Sequence, residues 1–187
     1  MHLHTGETDA RLLEAALELL AERGYQGATT RRIAERAGVA EVTLFRRFGS
    51  KARLLAEAVR RAGAAFEEVA ARPSGDLRAD LLEMARNYQE PFELGGAAAF
   101  MLAVEASRAG ELRGALAEAL QPRIRAVQDF FAHYQRAGAL RPGDLDTMIN
   151  AFLGPLVGAA FFQRTTGRGP RLDLEKHVEG FLGGWSA

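Results

Sequence analysis

The sequence predicts an all-α fold of about nine helices. Apolar residues recur at helical spacing in one segment after another. No stretch between glycine-rich turns alternates apolar and polar residues, which is the pattern of a half-exposed strand. Glycine and proline separate the segments and mark where the helices end. With 187 residues, 48% of them hydrophobic, the chain has enough apolar material for one or two small domains.

The first predicted helix begins at Thr8 or Asp9, either of which can cap its N-terminus, and ends at Gly24. An apolar stripe on one helix needs neighbouring helices to cover it, so we expect this helix to lie in a core. Helical spacing places five residues in that stripe: Leu12, Leu13, Ala16, Leu17 and Leu20.

Residues 29–51 predict two short helices that cross steeply. Thr29 caps the first helix, and Ala34 is the small residue needed where the helices touch. Gly38 lies in the turn, where a positive φ costs glycine little. Leu44 and Phe48, four residues apart, face inward from the second helix. These features are typical of a helix-turn-helix, which places its second helix in the major groove of DNA.

A basic patch coincides with this motif. Residues 28–61 contain nine Lys and Arg against three Glu, a net charge of +6, although the whole chain is neutral. A solvated basic surface is the plainer explanation of a charge cluster in general. Its coincidence with the motif favours a surface that binds phosphates.

The outward face of the second short helix carries residue types that read base edges. Arg46 and Arg47 suit bidentate contacts with guanine, and the methyl groups of Val42 and Thr43 suit thymine methyls. Glu41 has two equally good explanations, an acceptor for cytosine N4 or an acid favoured by the helix dipole. Three more residues lie near helix N-termini, where phosphates bind: Thr30, Arg31 and Lys51.

The rest of the chain predicts helices at about residues 50–71, 76–90, 97–108, 111–137, 144–165 and 172–185. Pro122 is expected to interrupt the fourth of these, with a new helix beginning near it. Between Ile149 and Phe162 the apolar positions cover most of the helix circumference, which favours pairing with a second subunit. The last predicted helix carries a second apolar stripe, formed by Val178, Phe181, Leu182 and Trp185.

These later helices supply candidates for an apolar pocket and for a dimer interface. Aromatic and Met residues at helical spacing are more often plain core, and this stays the alternative for each pocket residue. The pocket candidates are Met84, Asn87, Tyr88, Phe92, Phe100, Met101, Val104, Gln128 and Phe131. The dimer candidates are Phe152, Leu156, Ala159, Val178, Phe181, Leu182 and Trp185.

Several classes of site are not expected. The chain has no cysteine, which excludes disulfides and thiolate metal sites. The four histidines show no metal-ligand spacing beyond His2 and His4, and no nucleophile elbow or Gly-rich phosphate loop is present, so we expect neither catalysis nor a cofactor. No signal segment is visible, and the longest near-apolar run, 151–162, is shorter than a membrane span. We expect a soluble cytoplasmic protein.

The helix-turn-helix segment resembles the TetR family of bacterial transcriptional repressors. The resemblance is carried by Gly24-Tyr25, by residues 29–39 and 43–48, and by Ser50-Lys51, and it covers residues 9 to about 60. It implies a nine-helix homodimer, with a DNA-binding domain that we place at residues 1–52 and a ligand-binding and dimerisation domain at 53–187. Carried over by position, the residues facing DNA are Thr30, Arg31, Glu41, Val42, Thr43, Phe45, Arg46, Arg47 and Lys51.

Two residues depart from the family pattern. Phe45 stands where the family often has Tyr, which removes a phenolic hydrogen bond to phosphate, and Arg47 stands where His is frequent, which adds a fixed charge. The expected function is a repressor that binds a palindromic double-stranded DNA operator as a homodimer and is released by a small apolar or amphipathic effector. The alternative is a helical small-molecule binding protein or minor enzyme whose basic patch serves an acidic ligand.

Overall fold

The computed structural model describes residues 3–91, 97–166 and 172–187, and these residues form ten α-helices. They contain no β-strand, and an isolated bridge pairs Leu140 with Ser186, so the predicted all-α fold is confirmed. No helix in these ranges is both long enough and apolar enough to span a membrane. In chain order the helices are α1 (Leu3–Gly27), α2 (Thr30–Ala37), α3 (Glu41–Phe48), α4 (Lys51–Ala62), α5 (Ala64–Ala71), α6 (Leu77–Pro91), α7 (Ala97–Ala106), α8 (Gly110–Arg136), α9 (Leu145–Thr166) and α10 (Leu174–Trp185).

The helices group into two compact units. The first unit contains Met1–Ala62 and Gly95–Leu120, which include α1 to α4, α7 and the first part of α8. The second contains Gly63–Leu94 and Gln121–Ala187, which include α5, α6, the rest of α8, α9 and α10. The predicted DNA-binding domain (residues 1–52) and ligand-binding domain (residues 53–187) are defined by function rather than by packing, and this division stays a prediction.

Aliphatic side chains form the core of the first unit. Leu12 and Leu20 of the predicted stripe on α1 have no exposed surface, and neither do Ile33 of α2 and Leu44 of α3. Full burial of such a side chain stabilises the fold by about 1.5–3 kcal/mol. The helix-turn-helix is therefore held on a shared core, which α7 and α8 complete with Leu102, Ala106, Leu112 and Leu116.

Gly24 interrupts α1 at the residue where the sequence predicts the first helix to end. Its φ of 66° and ψ of −178° lie outside the helical region, and glycine reaches this conformation because it has no Cβ. One further turn follows, in which the Ala28 N–H donates to the Gly24 carbonyl at 3.0 Å. At its other end α1 already includes residues before Thr8, so neither Thr8 nor Asp9 caps it.

The predicted helix over residues 50–71 is divided at Gly63 into α4 and α5. The guanidinium of Arg123 occupies the space beside this glycine, because a Cβ built on Gly63 would lie 2.1 Å from Arg123 Nη2. Arg123 Nε also lies 3.3 Å from Glu67 Oε1 of α5. Glycine at position 63 thus leaves room for a side chain from α8.

The prediction that Pro122 interrupts a helix is wrong, because α8 is continuous through this residue. An interior proline costs a helix about 3 kcal/mol through its missing N–H and its clash with the preceding turn. Buried side chains on both sides offset this cost, with Leu116 before the proline and Phe131 after it.

Aromatic side chains dominate the core of the second unit. Phe131 packs edge-to-face on Phe152 with ring centroids 5.9 Å apart, and Phe152 packs on Phe181 at 5.2 Å. Phe130 packs in the same manner on Tyr134 at 5.1 Å. Each of these five rings is at most 6% exposed. These contacts connect α8, α9 and α10. Their edge-to-face geometry stabilises the unit by more than the buried apolar area alone would.

Asp80 is a buried carboxylate in this unit, with 5% of its surface exposed. It accepts hydrogen bonds from the Ser74 N–H at 2.7 Å, from the Ser74 hydroxyl at 2.5 Å and from the Tyr134 hydroxyl. The Gly75 N–H donates to the oxygen of Tyr134 at 3.1 Å. These bonds satisfy the buried charge and attach the segment before α6 to α8.

Candidate nucleic-acid interface

Local sequence determines both ends of α2. Thr29 is extended, and its hydroxyl oxygen accepts a hydrogen bond from the Arg32 N–H at 3.3 Å, as expected of a helix cap. At the other end Gly38 has φ 66° and ψ 38°, the left-handed conformation predicted for this turn. The Val39 N–H donates back to the carbonyl of Ala34 at 3.0 Å, which completes a Schellman motif. The chain then continues directly into α3.

One face of α3 is buried and the other is exposed. Leu44 has no exposed surface and Phe48 packs partly buried against the same core, so both predicted inward residues face inward. On the other side, Val42 is 72% exposed and Phe45 is 46% exposed. Arg46 is exposed as well, and it makes no hydrogen bond or ion pair with any residue that the structure describes. A short helix with such a face has the shape to enter the major groove.

Other residues predicted to face DNA contact protein partners. The Thr30 hydroxyl donates to Glu41 Oε1 at 2.5 Å, which connects the first residue of α2 to the first residue of α3. Arg31 Nε lies 2.8 Å from Glu35 Oε1, one turn along α2. Thr43 is half-buried. The Thr30–Glu41 and Arg31–Glu35 contacts both lie at the surface. Contacts between exposed charged or polar groups contribute little to stability, so a phosphate can compete for Thr30 and Arg31.

Lys51 is only partly available to a phosphate. Its Nζ donates to the Tyr25 carbonyl at 2.5 Å and lies 4.0 Å from the centroid of the Tyr25 ring. Burial lowers the pKa of Lys51, although the charge of Glu105 opposes this effect. The ammonium therefore connects the start of α4 to the end of α1.

Arg47 turns back toward α1. Its Nε lies 3.0 Å from Asp9 Oδ1, and its side chain is 23% exposed. The sequence predicts an outward Arg47 because helical spacing places it beside Arg46. No local pattern marks Asp9 as its partner, since the two residues are far apart in the chain.

Carboxylates of α1 reduce the positive charge of the helix-turn-helix. Arg36 lies 2.6 Å from Glu22 and 3.4 Å from Glu18, and its hydrogen bond lowers the pKa of Glu22. The net charge of +6 counted along residues 28–61 is therefore partly neutralised in the folded unit. The spacing of Glu18 and Glu22 by one helical turn is the sequence signal that could have indicated this. The cations that stay exposed include Arg46, Arg53 and Arg61.

The predicted pocket residues belong to both units. Met84 and Phe131 are fully buried in the core of the second unit, where Tyr88 packs partly buried. Val104 is in the first unit and is 45% exposed.

The polar pocket candidates bond to nearby protein groups. Asn87 Nδ2 donates to the Glu83 carbonyl at 3.0 Å, and Gln128 Nε2 lies 3.5 Å from Asp146 Oδ1. Phe92 and the side chains of Phe100 and Met101 lie outside the residues that the structure describes. The pocket stays a prediction.

The predicted dimer residues divide into two sets. Phe152, Leu156, Val178 and Phe181 are at most 6% exposed, so the core of the same chain already covers them and a partner cannot. Helical spacing shows that a helix face is apolar but not which molecule covers it. The remaining three keep part of their surface: Ala159, Leu182 and Trp185.

In the described part of the chain, no three His, Asp or Glu residues group together as metal ligands.

Family models match both parts of the chain. Residues 12–58 match the family of bacterial regulatory proteins described as the tetR family. Residues 71–174, more than half of the chain, match the tetracyclin repressor-like C-terminal domain.

Individual proteins are similar as well. YvkB of Bacillus subtilis (strain 168), an uncharacterized HTH-type transcriptional regulator, is 36% identical over 86 residues, and this alignment spans 46% of each chain, about half of the relative's length. The structure of the TetR family transcription regulator SCO0332 has a TM-score of 0.68 and 27% identity, covering 95% of this chain and 98% of that one. A structure from Saccharomonospora viridis, described as a transcriptional regulator in complex with choline, has a TM-score of 0.71 at 22% identity, covering 97% and 99%.

The last of these comparisons shows the fold alone. The two family models carry the assignment, and they agree with the helix-turn-helix geometry of α2 and α3. Proteins of the matched family are transcriptional regulators that bind DNA and are not enzymes. On these grounds the chain belongs to the TetR family.

Proposed function

We propose that the protein is a homodimeric repressor that binds a palindromic DNA operator through α3 and leaves it when a small effector binds. The observation that carries this proposal is the exposed side of α3. It presents Val42 and Phe45 to solvent next to Arg46, while Leu44 holds the helix on the core. Exposed apolar side chains of this size beside the exposed guanidinium of Arg46 suit thymine methyls and guanine acceptors in the major groove.

The roles of the remaining predicted residues follow from where they lie. Thr30, Arg31 and Lys51 are proposed to bind phosphates, which position a protein on DNA without reading sequence. Thr43 and Glu41 are proposed to lie at the edge of the groove, with Glu41 exchanging its bond to Thr30 for a base or water when DNA binds. Arg47 is the exception, since Asp9 already holds it.

A second subunit is proposed because one short helix provides few base contacts. Two-fold symmetry presents two recognition helices to half-sites about 34–36 Å apart on one face of the duplex. Gly154 and Gly158 of α9 and Gly180 and Gly184 of α10 have open space where a Cβ would lie, which would allow close approach of a partner helix. The half-buried Ala159, Leu182 and Trp185 are proposed to complete the interface.

An apolar or amphipathic effector is proposed to bind in the second unit. The support is the apolar and aromatic surroundings of Met84, Tyr88 and Phe131, together with the choline bound in the Saccharomonospora viridis structure. An effector can release DNA only if it binds the free state more tightly than the DNA-bound state.

The test begins with selection of duplexes from a random-sequence library by the wild-type protein. We expect a palindromic motif, a dimer by light scattering, and an affinity whose logarithm falls with log salt by about 0.9 for each phosphate contact. Choline and a medium-chain fatty acid serve as first effector probes in the DNA complex. If no motif is enriched and the affinity for DNA does not fall steeply with salt, the proposal is contradicted.

A further inference from the structure

Arg47 and Asp9 form a charge pair whose contacting atoms are closed off from water. Arg47 Nε and Asp9 Oδ1 lie 3.0 Å apart, and neither atom has measurable exposed surface, although 23% and 35% of the two side chains remain exposed. The two atoms do not align as a hydrogen bond, so the contact is electrostatic. Because the contacting atoms are shielded, water screens this pair less than a fully exposed pair, while the exposed parts of both side chains keep it partly screened.

This pair sits at the end of α3 opposite to the Thr30–Glu41 hydrogen bond. α3 has only eight residues, from Glu41 to Phe48. Glu41 joins its first residue to α2, Leu44 joins its middle to the core, and Arg47 joins its last turn to α1. Three contacts along so short a helix determine both its tilt and its rotation about its own axis.

We propose that Arg47 is a positioning residue for DNA recognition, which acts through Asp9 to orient α3, and that base reading falls to Val42, Phe45 and Arg46. The proposal rests on the DNA-binding function proposed above. A site must be held within about 0.5 Å and 10–20° of its productive geometry to work well. A rotation of α3 would therefore move the exposed Val42 and Arg46 away from their bases together.

Removing the charge of Asp9 separates this role from direct DNA contact by Arg47. A carboxylate near DNA repels phosphates, and its removal frees Arg47 to contact DNA. If Arg47 reads bases or binds phosphate directly, Asp9→Asn leaves the affinity unchanged or raises it. If Arg47 positions α3, Asp9→Asn lowers the affinity for the selected duplex although the protein has become more positive.

The experiment measures Asp9→Asn against the duplex selected by the wild type and against a random duplex. We expect a loss of about fivefold or more for the selected duplex, since at least one base contact is misaligned. Affinity for the random duplex is expected to hold or rise, and a new selection with the variant is expected to give a broader motif. Glu14→Gln is the matched control, because it makes the same charge change at an exposed position of α1.

Arg47→Met supplies the second variant should Asp9→Asn fold poorly by circular dichroism. A positioning role predicts loss of the selected motif with an unchanged salt slope. A slope that falls by about 0.9 for each subunit would instead place Arg47 on a phosphate and overturn the inference. Unchanged specific binding in Asp9→Asn overturns it too, while the repressor proposal survives. If the wild-type protein selects no motif, both the positioning role of Arg47 and the repressor proposal are contradicted.

Discussion

The Thr30 hydroxyl donates a hydrogen bond of 2.5 Å to the Glu41 carboxylate, and this bond connects the first residues of the two helices of the helix-turn-helix. Each residue lies where the sequence predicts contact with DNA. The bond therefore holds the start of α3 in place and keeps an acidic group on a surface that is proposed to approach phosphates.

We expect Glu41→Gln to raise the affinity for random-sequence DNA about 1.4- to fivefold, because exposed charge interactions are worth about 0.2–1 kcal/mol. Fluorescence anisotropy with a labelled random duplex measures this change. Glu14→Gln is the control, because it makes the same charge change at an exposed position of α1 away from α2 and α3, and it should leave the random-duplex affinity as it is. An unchanged affinity for Glu41→Gln would place Glu41 away from the DNA.

Arg46→Ala should weaken binding to the selected duplex about 5- to 150-fold, the range that follows from about 1–3 kcal/mol for one bidentate base contact. Arg46 is the exposed arginine of α3 and has no partner among the residues that the structure describes. Binding to a random duplex should change much less. Arg61→Ala, at an exposed position near the end of α4, controls for the loss of one positive charge. Equal losses on both duplexes would assign Arg46 to phosphate.

Gly38→Ala should destabilise the protein by about 1–2 kcal/mol, because an L-residue at φ 66° brings its Cβ close to the following carbonyl oxygen. Urea unfolding followed by circular dichroism measures the free energy. Gly114→Ala is a matched control inside α8, where the added methyl group meets open space, and it should stabilise the helix by about 0.5–1 kcal/mol. The two Gly→Ala substitutions should thus change the free energy of unfolding in opposite directions, and a change in the same direction would contradict this account.

Tyr134→Phe should lower the free energy of unfolding by about 1–3 kcal/mol, because the buried Asp80 and the Gly75 N–H each lose a hydrogen-bond partner. Tyr25→Phe is the control, since the structure shows no hydrogen bond of the Tyr25 hydroxyl to a described residue. Chemical denaturation of both variants measures the difference. Similar losses in the two variants would mean that the hydrogen bonds of Tyr134 contribute nothing beyond its ring.

The three tyrosines should ionise at higher pH in the folded protein than in the unfolded one. Burial, and after it the hydrogen bond to Asp80, raises the pKa of Tyr134 to about 12, and burial raises the pKa of Tyr88 to about 12. Burial also raises the pKa of Tyr25. At about pH 11, tyrosinate absorbance should show Tyr134 and Tyr88 mostly protonated in the folded chain, whereas about nine-tenths of all three tyrosines are ionised in urea.

The same shifts make stability depend on pH. The folded state retains the phenolic protons of Tyr134 and Tyr88 at pH values where the unfolded state has lost them. Their contribution to stability is complete below about pH 10 and is lost as the pH rises from about 10 to about 12. Urea unfolding across this range measures the decline, which should be shallower in Tyr88→Phe. If two thirds of the absorbance change of the folded protein were centred on about pH 10, the shifts of Tyr134 and Tyr88 would be contradicted.

Several features of the site could be predicted because they depend on neighbours along the chain. Thr29 caps α2, Gly38 adopts positive φ, and Leu44 faces the core, each as the local sequence predicts. A cap, a turn and a buried helix face are determined by residues within about one helical turn. The family resemblance, which is carried by the same segment, is confirmed as well.

Tertiary structure decided what local patterns leave open. The division at Gly63 depends on Arg123, and the continuity of α8 through Pro122 depends on cores on both sides of it. Phe152 and Val178 are apolar at helical spacing, but only the packed chain shows that its own core covers them.

By itself, the sequence determined that this protein is helical, that it carries a helix-turn-helix, and which sides of α2 and α3 face inward. Only the tertiary structure decided the partners of the charged residues, with Arg47 on Asp9, Arg36 on Glu22 and Lys51 on Tyr25. The reason is physical: helical periodicity orients a side chain relative to its own helix. The atom it meets depends on distances between helices that packing alone sets.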